Sequence, residues 1–541
     1  MMTKQAPLRL LFIIGKTMKQ LLTTLLLLFS LHVAAGDIVV HEGRSIHDAL
    51  RQAREWRRTN DPRCEGGITI TVKKGRFHLQ EPLFLRPEDS GTDTSPLWIK
   101  GEKGAIISGT PKQQHTQLWP VAKQQVKKNK KDKKDQAEQP VLMDRIVAFD
   151  AETRTITIPT PPDSVLQGFA LGKTPLEMVV HQRWAIAILR VKDLQVRGRE
   201  TVVSFWEPES RLEFEHPWPQ PVIGGEKGNS SFLLRTTEQR DGMEQLMIID
   251  GASHVSIEGL TFENTCWNRP LHQGHVTLQG GFPLIDAYKL AVPGLPWDPN
   301  LENQAWIERP VSAVTVRNAE HVIFKACRFQ HLGATALDFA DATSECTVHA
   351  CHFEDVGGSA ILAGSFAESP LEVHRPYRHL AERCRKLVIT GNTIHHVTTE
   401  DWGAVAIGCG YVTDCVITGN DISQVNYSGI CVGWGWTPED TGMHNNLILG
   451  NKVSDYARQL YDAGGIYTLS NQPGSVIRDN IIGTPGRAPY ATNDRAFRIY
   501  LDARTDGYTI QGNTTEQGKS IRRDDIGDNQ PGPNLVFADS E

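Results

Sequence analysis

An all-β solenoid is the fold class this sequence predicts, and three observations carry it. From about Met247 onward a short unit recurs, as VSIEGLTFENT, VIFKACRFQHLG, CTVHACHFEDVG, LVITGNTIHHV, CVITGNDISQV, LILGNKVSDY, SVIRDNIIGT and YTIQGNTTEQ. Matching positions are Phe262, Phe329, Phe353, Ile394, Ile422, Val453, Ile482 and Thr515, and several intervals fall near about thirty residues, the spacing of stacked supersecondary units. Each unit is a β-branched run turning at Gly or Asn, without the 3.6-residue period of a helical repeat. Together these predict a right-handed parallel β-helix, in which each turn lays a strand on the last at about 4.8 Å. A repeat fold also accounts for the chain's 541 residues, more than one ordinary core uses.

The N-terminal element is a targeting segment. Lys19 precedes the apolar run Leu21 to Val33, which ends in Ala34-Ala35-Gly36, the basic, apolar and small-residue order of a secretory signal. The run is short for a bilayer span. Cleavage after Ala35 is expected, and Met18 is a candidate for the true start. Removing residues 1–35 takes away Lys4, Arg9, Lys16 and Lys19 and no acid, so the mature chain is more acidic than the formal charge of −6. That balance argues against nucleic acid as a partner. A periplasmic, secreted or cell-surface location and a monomeric state are expected, with no membrane span after signal removal.

Residues 36–110 read as an N-terminal cap and the first rungs. SIHDALRQAREWRR predicts one amphipathic helix, with Ile46, Ala49, Leu50, Ala53 and Trp56 at helical spacing. Ser45 and Asp48 resemble a capping box, and the helix would cover the open end of the stack. Residues 111–240 break the pattern. They hold the charge run Lys127 to Asp135, read as a solvated loop, between strand-like runs such as RTITIPT and RETVVSFW; a β-rich insertion is predicted. Residues 241–541 read as the parallel β-helix domain, the part expected to be catalytic. Within it Asn392, Asn420, Asn451, Asn480 and Asn513 are expected to stack at one corner, a structural role. Cys327 and Cys351 occupy equivalent places in two units and read as inward-facing core thiols.

A β-helix interior is filled by side chains, so function belongs on an outer face walled by loops that interrupt the turns. Three interruptions are large, Cys266 to Pro310, Ala363 to Cys384 and Trp434 to His444. The first carries Trp267 and His275, candidate substrate contacts. Trp402, Tyr427, Trp434, Trp436 and Tyr467 come from consecutive rungs beside glycines; they are expected on the outside as a platform for the apolar face of a sugar. Glycoside hydrolysis uses two carboxyl groups astride the scissile bond. Glu400, Asp401, Asp462, Asp502 and Asp506 are the acids on that face. Asp462 stands before Gly464-Gly465, expected to let a ligand come close, and Asp502 ends a strand-like run on the next rung. Stacking alone favours Asp401 with Asp462, which open equivalent motifs two rungs or about 9.6 Å apart, and the pattern alone does not choose between the pairings. No cofactor is expected, no Cys/His cluster has zinc spacing, and no compact acidic set suggests Ca²⁺. A polysaccharide lyase or epimerase, and a non-catalytic carbohydrate-binding surface protein, are the competing readings of such a scaffold.

The segments WNRP…GHVTLQGG, YSGICVGWGW, DAGGIYTLSNQPG and IYLD resemble glycoside hydrolase family 141, a family of parallel β-helix enzymes with α-L-fucosidase and xylanase activities on plant polysaccharides. The resemblance runs from about Asp37 to the C-terminus. By motif it implies that Asp462 and Asp502 are the catalytic acids, with Asp401 as the runner-up of the residue reading. Two departures stand out. The family tends to Asp-Gly-Gly-Gly where this chain has Asp462-Ala463-Gly464-Gly465, and to an acidic turn where this chain has Arg498 and Arg504 around Asp502. Those arginines are expected to lower the Asp502 pKa. The chain ends soon after its last rung, so a further C-terminal piece is expected.

Overall fold

The computed structural model describes residues 36–538 apart from 110–143, 171–174, 217–218, 237–241, 288–305, 369–370, 373–382, 487, 489–490, 493 and 529–530. The targeting segment and the charge run Lys127 to Asp135 lie outside the described residues.

Three long sheets wind into one right-handed parallel β-helix. The first runs from Gly36–Val40 to Val536–Phe537, the second from Leu83–Leu85 to Ile526–Asp528, and the third from Gly75–His78 to Thr514–Thr515. The recurring apolar position is one continuous ladder in the third sheet. Phe262 pairs with Phe329, Phe329 with Phe353, Phe353 with Ile394, Ile394 with Ile422, and so on through Val453, Ile482 and Thr515. Phe329 and Phe353 stack at 4.7 Å. A shared interval in sequence thus becomes a shared height in the core.

The asparagines form the expected corner. The Asn420 Oδ1 accepts from both the backbone N–H and the Nδ2 of Asn392, at 3.0 and 2.9 Å. The same pair of bonds recurs from Asn420 to Asn451, Asn451 to Asn480 and Asn480 to Asn513. Each Nδ2 also donates to a carbonyl of the preceding rung, such as that of Ile417 for Asn451. All five are buried, so the ladder satisfies polar groups that water cannot reach.

A helix spans Ile46–Arg58 and buries Ile46, Ala49, Leu50, Ala53 and Trp56. It packs against strands Gly36–Val40, Ile68–Val72 and Leu83–Leu85. Ser45 stands at its N-cap, but its side chain makes no capping bond. Asp48, the other half of the expected capping box, is instead paired with Arg51 one turn on. Cys327 and Cys351 are free and buried.

The insertion is an antiparallel sheet with strands from Asp144–Arg145 to Ser231–Thr236 and helices Asp163–Ala170 and Glu209–Glu215. Its long strand Ile186–Arg197 also accepts His275–Val276, a piece of the first interrupting loop, as an antiparallel neighbour. The insertion therefore lies against the outer face of the second sheet. A buried charge network ties the two together: Arg235 donates to Glu177 and to Glu400, each at 3.1 Å. A second apolar core joins insertion residues such as Val203 and Phe232 to Trp434, Trp436, Tyr467 and Tyr500 of the β-helix.

Candidate active site

The second sheet brings the two leading acids together. Strand Ala463–Thr468 pairs in parallel with Ala496–Leu501, with Tyr467 opposite Tyr500. Asp462 directly precedes the first strand and Asp502 directly follows the second. The two tyrosine rings, 5.2 Å apart and nearly perpendicular, bridge the separation along the strands. Tyr500 Oη donates to Asp462 Oδ1 at 2.9 Å, and Tyr467 Oη donates to Asp502 Oδ2. Tyr427, from the rung before, donates its hydroxyl to the Asp462 carbonyl at 3.0 Å. Burial pushes all three phenols up, so they remain protonated donors at neutral pH.

Asp462 lies on the outer flank, with its side chain 19 % exposed, and its φ of 60° turns the chain out of the rung. Its carboxyl titrates above the usual range. Burial is the main cause, the Arg495 guanidinium opposes it, and the negative charge of Asp502 adds to the rise. Arg495 Nε lies 3.0 Å from Asp462 Oδ1 and Arg495 also donates to Tyr500. Arg183, at the turn between the insertion strands Leu176–His181 and Ile186–Arg197, contributes a further positive charge to Asp462. Its carbonyl accepts from the Tyr461 N–H at 3.3 Å. Asp502 is 8 % exposed.

The structure corrects several expectations. Trp402, Tyr427, Trp434, Trp436 and Tyr467 are all buried and form no open platform: Trp402 and Tyr427 pack in the main core of the β-helix, and Trp434, Trp436 and Tyr467 in the core shared with the insertion. Two are covered by protein: His181 of the insertion stacks on Trp402 at 5.3 Å, and Phe282 packs on Trp434 at 5.5 Å. Gly464 and Gly465 make room for protein rather than for ligand. A Cβ at Gly464 would lie 2.6 Å from the Ile466 carbonyl and 2.9 Å from the Tyr500 Cβ; one at Gly465 would lie 2.6 Å from Ile482. Arg498 pairs with Asp525 and Arg504 is exposed, so the cation that matters is Arg495, and it acts on Asp462. Asp506 binds the backbone and side chain of Asn534, and Glu400 is held by Arg235.

The runner-up, Asp401, belongs to a neighbouring cleft. Its Oδ2 lies 3.0 Å from the Nε2 of buried His275, and its Oδ1 accepts from the Gly403 N–H at 3.1 Å. Burial keeps His275 below the ordinary histidine range, with Asp401 opposing. The cleft has a volume of about 240 Å³ and is walled by Trp267, Glu244, Arg269, Glu308, His275 and Asp401. Trp267 meets His275 edge-on at 4.7 Å.

Tyr500, Arg495, Arg183 and Gln279, whose amide donates to Tyr467 Oη at 3.0 Å, escaped the sequence reading. Only Tyr500 left a signal, as the residue in register with Tyr467. Among the described residues, His254, Glu320 and His321 bring metal-ligating atoms within 4.8 Å of one another. They lie at a corner before strands Val255–Glu258 and Val322–Lys325, several rungs from Asp462. No helix of the described residues is long and apolar enough to cross a membrane.

The sequence profile of the GH141 insertion domain matches residues 98–241. A solved structure described as a glycoside hydrolase is 32% identical; the alignment covers 93% of this chain and 96% of that one, with a TM-score of 0.79. Two more distant structures also match. XylC in complex with xylose is 10% identical over 88% of this chain and 68% of its own, with a TM-score of 0.39. An alginate lyase from Paenibacillus sp. is 9% identical over 93% and 99%, with a TM-score of 0.37. No curated protein matches the chain.

Proposed function

Because this chain belongs to the GH141-type glycoside hydrolases, we propose that it hydrolyses a plant-type polysaccharide or oligosaccharide, fucosidase- or xylanase-like, with Asp462 as general acid and Asp502 as its partner. One observation carries the assignment: Asp462 is the acid whose surroundings favour the protonated form, and the charge of Asp502 is among the causes. A carboxyl group kept protonated beside a second carboxyl group can serve as the acid of such a pair. Asp462 gives its proton to the leaving glycosidic oxygen. Asp502, held by the Tyr467 hydroxyl, either attacks the anomeric carbon or takes a proton from the attacking water. Tyr500 and Arg495 fix the orientation of Asp462, and the insertion helps close the site around it. We place the mature enzyme, acting as a monomer, outside the cytoplasm, on the strength of the apolar run Leu21 to Val33 behind Lys19.

The test is a screen of xylan and pectic oligosaccharides with product analysis by mass. Release of a defined sugar by the wild-type chain supports the proposal. An unsaturated, ultraviolet-absorbing product would replace it with a lyase.

The pH profile distinguishes the two acid roles. Activity that requires protonated Asp462 is present below its pKa and lost as pH rises through it. Arg495 lowers that pKa, so Arg495→Met is expected to move the alkaline limb of kcat/KM to higher pH. Were Asp462 the base, the same substitution would move the acid limb instead.

A further inference from the structure

We infer that the cleft beside Trp267 is a second sugar-binding position, placed to hold a neighbouring residue of the same substrate chain. The inference rests on the hydrolase reading above and adds that the enzyme grips several sugars rather than one.

The position of the cleft is the first argument. Its floor includes Thr335, Ser359 and Ala404, which begin or shortly precede the successive second-sheet strands Thr335–Phe339, Ile361–Ala363 and Ile407–Cys409. Asp462 stands at the start of Ala463–Thr468 in that sheet, two strands beyond Ile407–Cys409, or about 10 Å along the axis. The cleft and the catalytic acid therefore share one edge of the solenoid, and a substrate lying along the axis passes both.

The second argument is the segment between them. At Gly281 the backbone has a φ of 79°, and an added Cβ would fall 2.5 Å from Asp401 Oδ2, so the segment presses against the cleft wall. Two residues earlier, Gln279 donates to Tyr467, which donates to Asp502. One short segment thus touches the cleft on one side and the catalytic pair on the other.

The lining supplies the chemistry. Half-buried Trp267 offers an aromatic surface, and Glu244, Glu308, Arg269 and Asn268 surround it with hydrogen-bonding groups. Arg269 donates to Glu308 at 2.6 Å, and together these side chains offer a hydroxyl-rich ligand both donors and acceptors. Acidic and basic groups are mixed, which favours a neutral pyranose over a uronate.

The test compares long and short substrates. The probes are xylan-derived and fucosylated pectic oligosaccharides of at least four sugars, beside the aryl glycoside of whichever sugar the wild type releases. Trp267→Ala is expected to lower kcat/KM on the oligosaccharide about tenfold, mainly through KM, which is the scale of one lost aromatic contact. The loss on the aryl glycoside should be several-fold smaller. Glu308→Ala, on a side chain 55 % exposed, should reproduce the direction without endangering the fold. Equal losses on both substrates, or none on the oligosaccharide, would overturn the inference while leaving the hydrolase reading intact. If the wild type cleaves no probe, the hydrolase reading fails separately. Calorimetric binding of the same oligosaccharides then decides the cleft, and binding that is absent or indifferent to Trp267→Ala sinks it.

Discussion

Asp462→Asn is expected to lower kcat/KM on an oligosaccharide by about 10²- to 10⁴-fold, the usual contribution of a general acid, while the protein folds as before. The folding half of this expectation comes from the backbone. Asp462 has a φ of 60°, a left-handed conformation that asparagine tolerates as well as aspartate. The side-chain oxygen that accepts from Tyr500 and faces Arg495 survives the substitution. What disappears is the transferable proton. The deficit should therefore be largest for sugar leaving groups, which need protonation, and much smaller for an activated aryl leaving group, which does not. A loss equal for both classes would remove Asp462 from the proton-donor role, and undiminished turnover would remove it from catalysis.

The parts of this site that sequence could reveal are those that obey the solenoid's own period. The positions from Phe262 to Thr515 recur at intervals that become vertical pairs, so rung and register were readable before any coordinates. The asparagine corner was readable for the same reason. Asp462 and Asp502 were readable as candidates because each borders an apolar strand, but the period alone favoured Asp401 with Asp462, and the family motif supplied the choice of pair. The burial of Trp434, Trp436 and Tyr467 was not, because it is imposed by the insertion, whose antiparallel sheet shares no period with the β-helix. Arg183 reaches Asp462 from that insertion, about 280 residues earlier in the chain, and no local pattern announces such a contact. The glycines after Asp462 misled for a related reason. Closeness of backbone to something is what glycine signals, and here that something is the next rung, through Tyr500 and Ile482.

The largest stability effect is expected at Asn451, remote from any substrate. Its side chain donates to the Ile417 carbonyl at 2.9 Å and to Asn480 Oδ1 at 3.0 Å. It accepts from the Asn420 backbone N–H and from Asn420 Nδ2, at 3.0 and 2.9 Å. Asn451→Ala strands the Ile417 carbonyl and both Asn420 donors in a region closed to water. At about 1–3 kcal/mol for each buried group left unpaired, the loss should be about 3–5 kcal/mol, read from denaturant or thermal unfolding. A change below about 1 kcal/mol, the ordinary worth of one bond, would mean that the ladder decorates the corner without holding it. The site explains why the corner matters to function. Asn420, Asn451 and Asn480 sit on the three successive turns that carry Tyr427, Asp462 and Asp502. Their bonds fix the rise between those turns, and that rise sets how closely the carboxyl of one rung approaches the carboxyl of the next.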